Sequence, residues 1–240
     1  MSRLVAAELL KIRTTRTGWV FFASGLGLSL LTIVGNLAVG EFQDPEAVTG
    51  LFVTASLGGL MMLLLGIVGA TGEHRHGTVT PTFLVSPVRE RVVAAKAIAY
   101  TLAGVAFTAA IELVTALIAV PWLAVKGASS PPADELALLL LGQLLYGGIA
   151  GALGVGVGTL VRNQVAAVVI VLVEFLAVEP VVGALVPDIG KYGPQGAAVS
   201  LLSGGLNGTV PMWAGGLVYV GYALVALGAG ALLDSRRDVS

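Results

Sequence analysis

Cysteine is absent from all 240 residues, and charged residues make up only 11% of the chain. The first absence excludes disulfides, thiolate nucleophiles and cysteine-held metals. The second excludes a soluble globular domain, which carries about 25% charged residues to face water. The charges that exist are clustered: none falls between Arg16 and Glu41, between Glu46 and Glu73, or between Glu135 and Arg162. A phosphate-binding loop is missing as well. Such a loop ends in Gly-Lys-Ser/Thr, and the one Gly-Lys pair here, Gly190-Lys191, is followed by Tyr192, so the chain does not hydrolyse ATP alone. Nothing resembles the paired histidines of a zinc protease or a nucleophile elbow.

What is present is apolar: 56% hydrophobic residues and a mean hydropathy of +0.94. Crossing a hydrocarbon core takes about 20 apolar residues in a helix, and each charge-free gap exceeds that. The chain reads as an all-α integral membrane protein, a single domain over residues 1–240, with spans near 18–40, 49–71, 94–124, 136–160, 164–186 and 212–233. The run after Arg16 is too long for a cleaved signal peptide and reads as a signal anchor. Pro121-Trp122 marks a kink or interfacial exit in the third span. Between the fifth and sixth spans, glycines and prolines rule out one continuous helix; a short helix near 196–203, lying at or dipping into the outer face, fits better.

Orientation follows from lysine and arginine. With both termini cytoplasmic, Arg3, Lys11, Arg13, Arg16, Arg75, Arg89, Arg91, Lys96, Arg162, Arg236 and Arg237 lie inside, and only Lys126 and Lys191 lie outside. Cysteines introduced singly by Asp44→Cys and Ser130→Cys are therefore expected to label from outside intact cells, and His76→Cys is not. Outside labelling at 76 without labelling at 44 would overturn this topology. The first 17 residues place Val5, Leu9 and Ile12 on one helical face and Glu8, Lys11 and Thr15 on another. That pattern fits an interfacial elbow helix resting on membrane lipid, the alternative being a solvated basic anchor.

Residues 69–87, "GATGEHRHGTVTPTFLVSP", interrupt this apolar chain with both histidines, a glutamate, an arginine and four threonines. A metal site is a poor fit. His74 and His76 stand at i, i+2, about 200° apart on a helix, and Glu73 is the one nearby carboxylate. Docking accounts for more residues. Thr80 can cap a short helix that opens on Pro81, presents Phe83, Leu84 and Val85, and stops at Ser86-Pro87. Such a cytoplasmic coupling helix suits a groove on a partner protein. The alternative is a turn whose apolar residues lie on the bilayer surface.

The stretch "GEHRHGTVTPTFLVSPVRERVVAAKAIAY" resembles the loop after the second span of ABC-2 type transporter permeases. Glu73, Gly77-Thr78, Phe83-Leu84, Ser86-Pro87 and Lys96 match that loop, and "ELLKIRTTRTGW" is similar to the family's elbow. "VEPVVGALVPDIGKYGPQGAA" is similar to its fifth span and outer re-entrant segment. Arg75, His74 and His76 are not part of the family pattern. The resemblance implies a plasma-membrane exporter subunit of a prokaryote that dimerises with a second copy or a paralogue. It implies ATP-binding-cassette ATPase partners that carry ATP and Mg²⁺, docking at Glu73, Gly77, Thr78, Phe83, Leu84 and Pro87; Arg75 joins this set by its place in the loop, which it would help Glu73 to orient through ionic or capping contacts. No cofactor on this chain, and no nucleic-acid partner, is expected.

Within the spans stand Glu112, Glu174 and Glu179. A carboxyl at that depth must face protein or water. Glu112 and Glu174 are the candidates for a translocation pathway, and Glu179 is read as structural. Five residues separate Glu174 from Glu179, about 140° on a regular helix, which places them in different environments. Pro180 leaves a carbonyl without its donor, so a kink is expected there. Gly147, Gly151, Gly154 and Gly158 recur at the spacing of close helix packing. Two other functions stay open: an ion-coupled secondary carrier, which often shows broken helices in both halves, and an intramembrane enzyme. The one interruption visible in the sequence follows the fifth span.

Overall fold

A backbone in hydrocarbon has no water to bond, so each apolar window must satisfy its own N–H and C=O groups, and a helix does this locally. The computed structural model describes residues 1–75, 89–128, 131–205 and 209–236, and every regular element among them is helical. Six stretches are long and apolar enough to cross a membrane: Arg16–Val39, Glu46–Gly72, Glu90–Val125, Ala133–Val161, Gln164–Leu185 and Met212–Leu233. This is the architecture of an all-α, multi-pass membrane protein.

Helix α1 (Ser2–Thr14) and helix α2 (Arg16–Val39) meet at Thr15, which is extended. A Cβ on Gly18 would overlap the carbonyl of Ile12, so glycine is what lets the corner close. Trp19 Nε1 ties it by donating to Arg13 O at 2.9 Å. The face expected to be polar is not uniformly outward. Glu8 is buried together with Ile12 while Leu9 is only half-buried, because Glu8 has an ionic partner inside the bundle.

The second span is two helices, α3 (Pro45–Ala55) and α4 (Gly58–Arg75), which corrects the expectation of one continuous helix over 49–71. Asp44 caps α3 by accepting from Glu46 N at 3.0 Å. At the break, Leu57 N turns back to Ala55 O at 2.8 Å. The third span, α5 (Arg89–Val125), runs through Pro121 for 37 residues and starts before the expected 94. At about 1.5 Å per residue it outreaches a hydrocarbon core of about 30 Å.

Helix α6 (Ala133–Val161) is the axis on which α4, α5 and the last helix pack. Its glycines face three neighbours. A Cβ on Gly151 would overlap Tyr100 O of α5, and one on Gly154 would overlap Leu63 O of α4. One on Gly156 would lie 2.7 Å from Leu227 N. Arg162, at φ 58, and Asn163, which accepts from Ala166 N at 3.0 Å, turn the chain into α7 (Gln164–Val173). A π-turn (Glu174–Val178) follows, then α8 (Glu179–Leu185), α9 (Pro187–Gly190), α10 (Pro194–Leu202) and α11 (Met212–Arg236). The short helix expected at 196–203 is therefore α10, and its Ala197, Ala198, Ser200, Leu201 and Leu202 are buried. On exposed α9, Lys191 Nζ donates to Asp188 at 2.9 Å and holds that carboxyl below its ordinary range.

Candidate functional site

The π-turn decides the site. Pro180 has no N–H to give the carbonyl four residues back, so the helix cannot continue in regular α form. The chain inserts one wider turn, closed by Glu179 N–H on Glu174 O. An i, i+5 pair lies on one face of a π-turn. The two carboxyls are consequently brought close together, which corrects the separate environments expected of a regular helix.

Glu179 is only 5% exposed and is held by fixed donors. Gln195 N lies 2.5 Å from its Oε1 and 2.6 Å from its Oε2, and Gly196 N lies 2.9 Å from Oε1. These are the free N–H groups at the start of α10, where Pro194 has none to offer and the cap residue, Gly193, has no side chain. Glu179 thus caps α10 from another helix, as a serine or aspartate would do from within it. A Cβ on Gly193 would overlap the Glu179 carboxylate, so the missing side chain makes room for the cap.

Glu174 is half-buried and lines a cavity of about 450 Å³ between α4, α6, α7, α10 and α11. The walls are apolar residues such as Leu63, Val157 and Ala226, with Tyr146, Tyr219 and Tyr222 among them. The rings of Tyr146 and Tyr219 are 5.7 Å apart. Tyr222 OH donates to Tyr192 O at 3.2 Å. Among the described residues, no lysine or arginine lines this cavity.

Glu112 lies elsewhere, buried against the break in the second span. Ser56 Oγ is 3.4 Å from its Oε1. With the Gln143 amide turned to satisfy both ends, Nε2 donates to Glu112 at 3.0 and 3.3 Å and its oxygen accepts from Ser56 Oγ at 3.1 Å. The structure therefore does not bring Glu112 and Glu174 into one site. Glu112 joins α3 to α5 and α6 through a closed set of hydrogen bonds. Gln143, 1% exposed, was missed from sequence although it is the one amide in its span. Ser56 carried no comparable signal.

A third polar centre ties down α1. Lys96 Nζ donates to Glu8 Oε2 at 2.8 Å and to Gly69 O at 3.2 Å, and Lys11 Nζ donates to Glu8 Oε1 at 2.7 Å. This joins α1, α4 and α5 a few residues from where α4 ends at Arg75. Of the expected docking residues, Glu73 and Arg75 belong to the last turn of α4. Gly77, Thr78, Phe83, Leu84 and Pro87 lie outside the described residues, as does His76. Among the described residues no three histidine or carboxylate side chains converge as metal ligands. The chain matches no protein-family model and no curated protein sequence.

Proposed function

We propose that the chain is the permease subunit of an ATP-binding-cassette exporter, moving a solute across the plasma membrane as one half of a dimer. ATP and Mg²⁺ would be held by separate cytoplasmic ATPase subunits. The observation that supports transport is the cavity of about 450 Å³ set against an irregular turn of the fifth span. Ligand sites are of this size, and a π-turn is a frequent mark of function within a helix. The apolar flank of that span, including Val165, Val169, Leu176 and Leu185, is exposed and available to lipid or a second subunit. The ATPase partner rests on the resemblance of residues 73–87 to a coupling loop. The Glu8–Lys96–Gly69 linkage offers that loop a mechanical path to α1 and α5.

If Phe83 and Leu84 are the apolar anchors, Phe83→Ala should weaken ATPase binding by about 2 kcal/mol, roughly thirtyfold. The measurement is co-purification of the ATPase, with cross-linking from Leu84→Cys. Full-strength co-purification with no cross-link would remove the loop from the interface.

One observation favours a second reading. Both the second and the fifth span are interrupted, at Ser56-Leu57 and at the π-turn, and each interruption holds a carboxyl. Breaks in both halves suit an ion-coupled secondary carrier. Proteoliposomes separate the two: uptake driven by an ion gradient without any ATPase supports the carrier, and uptake only with the ATPase and ATP supports the exporter.

A further inference from the structure

Among the described residues, the cavity beside the π-turn is lined by one carboxyl, three tyrosines and Gln195, and otherwise by apolar residues. At about 450 Å³ it is far too large for a bare metal ion. An anion would meet the Glu174 carboxyl, with no lysine or arginine among the described residues of the walls. A neutral apolar molecule would strip water from Glu174 and offer its carboxyl no charge in return, which is unfavourable at membrane depth. A molecule that is both apolar and positively charged meets none of these objections. Its body replaces lipid or water on the apolar walls, and its charge gains the carboxyl and the ring faces of Tyr146 and Tyr219.

We propose that this cavity binds a lipophilic organic monocation, with its charge beside Glu174 and its apolar body against Tyr146, Tyr219 and Val157. The two carboxyls divide the work. Glu179 is committed to the amides of Gln195 and Gly196 and does not line the cavity. Glu174 does line it. The other groups near Glu174 are Glu179 from the same span, Tyr146 from α6, and Tyr219 and Tyr222 from α11. This names the cargo of the transport reading above and rests on it for its biological sense, but binding itself needs only this chain.

The test uses two ions of one shape and opposite charge, tetraphenylphosphonium and tetraphenylborate, titrated against the purified full-length protein with empty micelles subtracted. The wild-type protein should bind the phosphonium at least about tenfold more tightly than the borate, the scale of one charge-assisted contact. Glu174→Gln, whose amide can still donate to Glu179, should lose about tenfold in phosphonium affinity. Val157→Phe narrows the space without touching the carboxyls and should weaken phosphonium binding too. Equal affinity for both ions, or unchanged binding in Glu174→Gln, overturns the proposal. The wild-type charge preference decides the matter even if a variant fails to fold. Loss of the preference with Phe83-dependent ATPase capture intact sinks only the cargo class. A preserved preference with no ATPase association sinks the exporter reading and leaves the cavity.

Discussion

Lys96→Met should destabilise the fold by about 3 kcal/mol and free α1 from the bundle. The Lys96 and Glu8 side chains are each 7% exposed, and their 2.8 Å contact is the ionic tie between α1 and α5. Removing one partner of a buried pair costs about 3–5 kcal/mol, because the other charge stays behind uncompensated. Lys11 tempers this, since it keeps a 2.7 Å contact with Glu8, but it is half-exposed and its contribution is the smaller. The lower end of the range is therefore expected. Replacing both residues, Glu8→Leu with Lys96→Met, removes the stranded carboxylate and should recover most of the loss. The measurements are thermal unfolding in detergent and the rate of trypsin cleavage at exposed Arg13 and Arg16, which should rise in the single variant alone. A double variant as unstable as the single one would show that the ion pair is not what holds α1.

Gly154→Val should have an effect at least as large, of about 3 kcal/mol or more, and should abolish a monodisperse protein. The added Cβ would overlap the carbonyl oxygen of Leu63 and lie 3.1 Å from Gly66 Cα. The reciprocal position is equally closed: a Cβ on Gly66 would meet Gly151 O at 2.5 Å and Val155 N at 2.9 Å. Overpacking usually costs about 1–3 kcal/mol because side chains give way. Here the obstacles are backbone atoms of two helices, which can yield only by separating α4 from α6. Gly221→Val is the control, since a Cβ on Gly221 meets nothing within 4 Å. It should stay within about 0.5 kcal/mol of the wild-type protein. Equal yields and melting temperatures for the two variants would show that the α4–α6 crossing tolerates separation.

The candidate site was legible in part. Glu174 and Glu112 stood out because a carboxyl inside an apolar run needs a reason to be there. Their surroundings could not be read, since each depends on a chain segment remote in sequence. Glu112 meets Ser56 across 56 positions, and Glu8 meets Lys96 across 88. Glu179 was read as structural, but its specific task, capping α10, required knowing that the first N–H groups of α10 meet its carboxylate. The glycines of α6 announced close packing by their spacing; which of them faces which helix did not follow from that spacing.

The class of the protein and the six stretches long and apolar enough to cross a membrane were determined by the sequence alone. Apolarity summed over about 20 residues is a local property, and a backbone in hydrocarbon has no alternative to the helix. The tertiary structure decided three things that local pattern could not. It broke the second span at Ser56-Leu57, turned Glu8 inward, and put Glu174 and Glu179 on one face. Helical periodicity presumes that every turn closes on the fourth residue and that polar faces look outward. A buried partner such as Lys96 reverses the second presumption, and a proline that withholds one N–H changes the first.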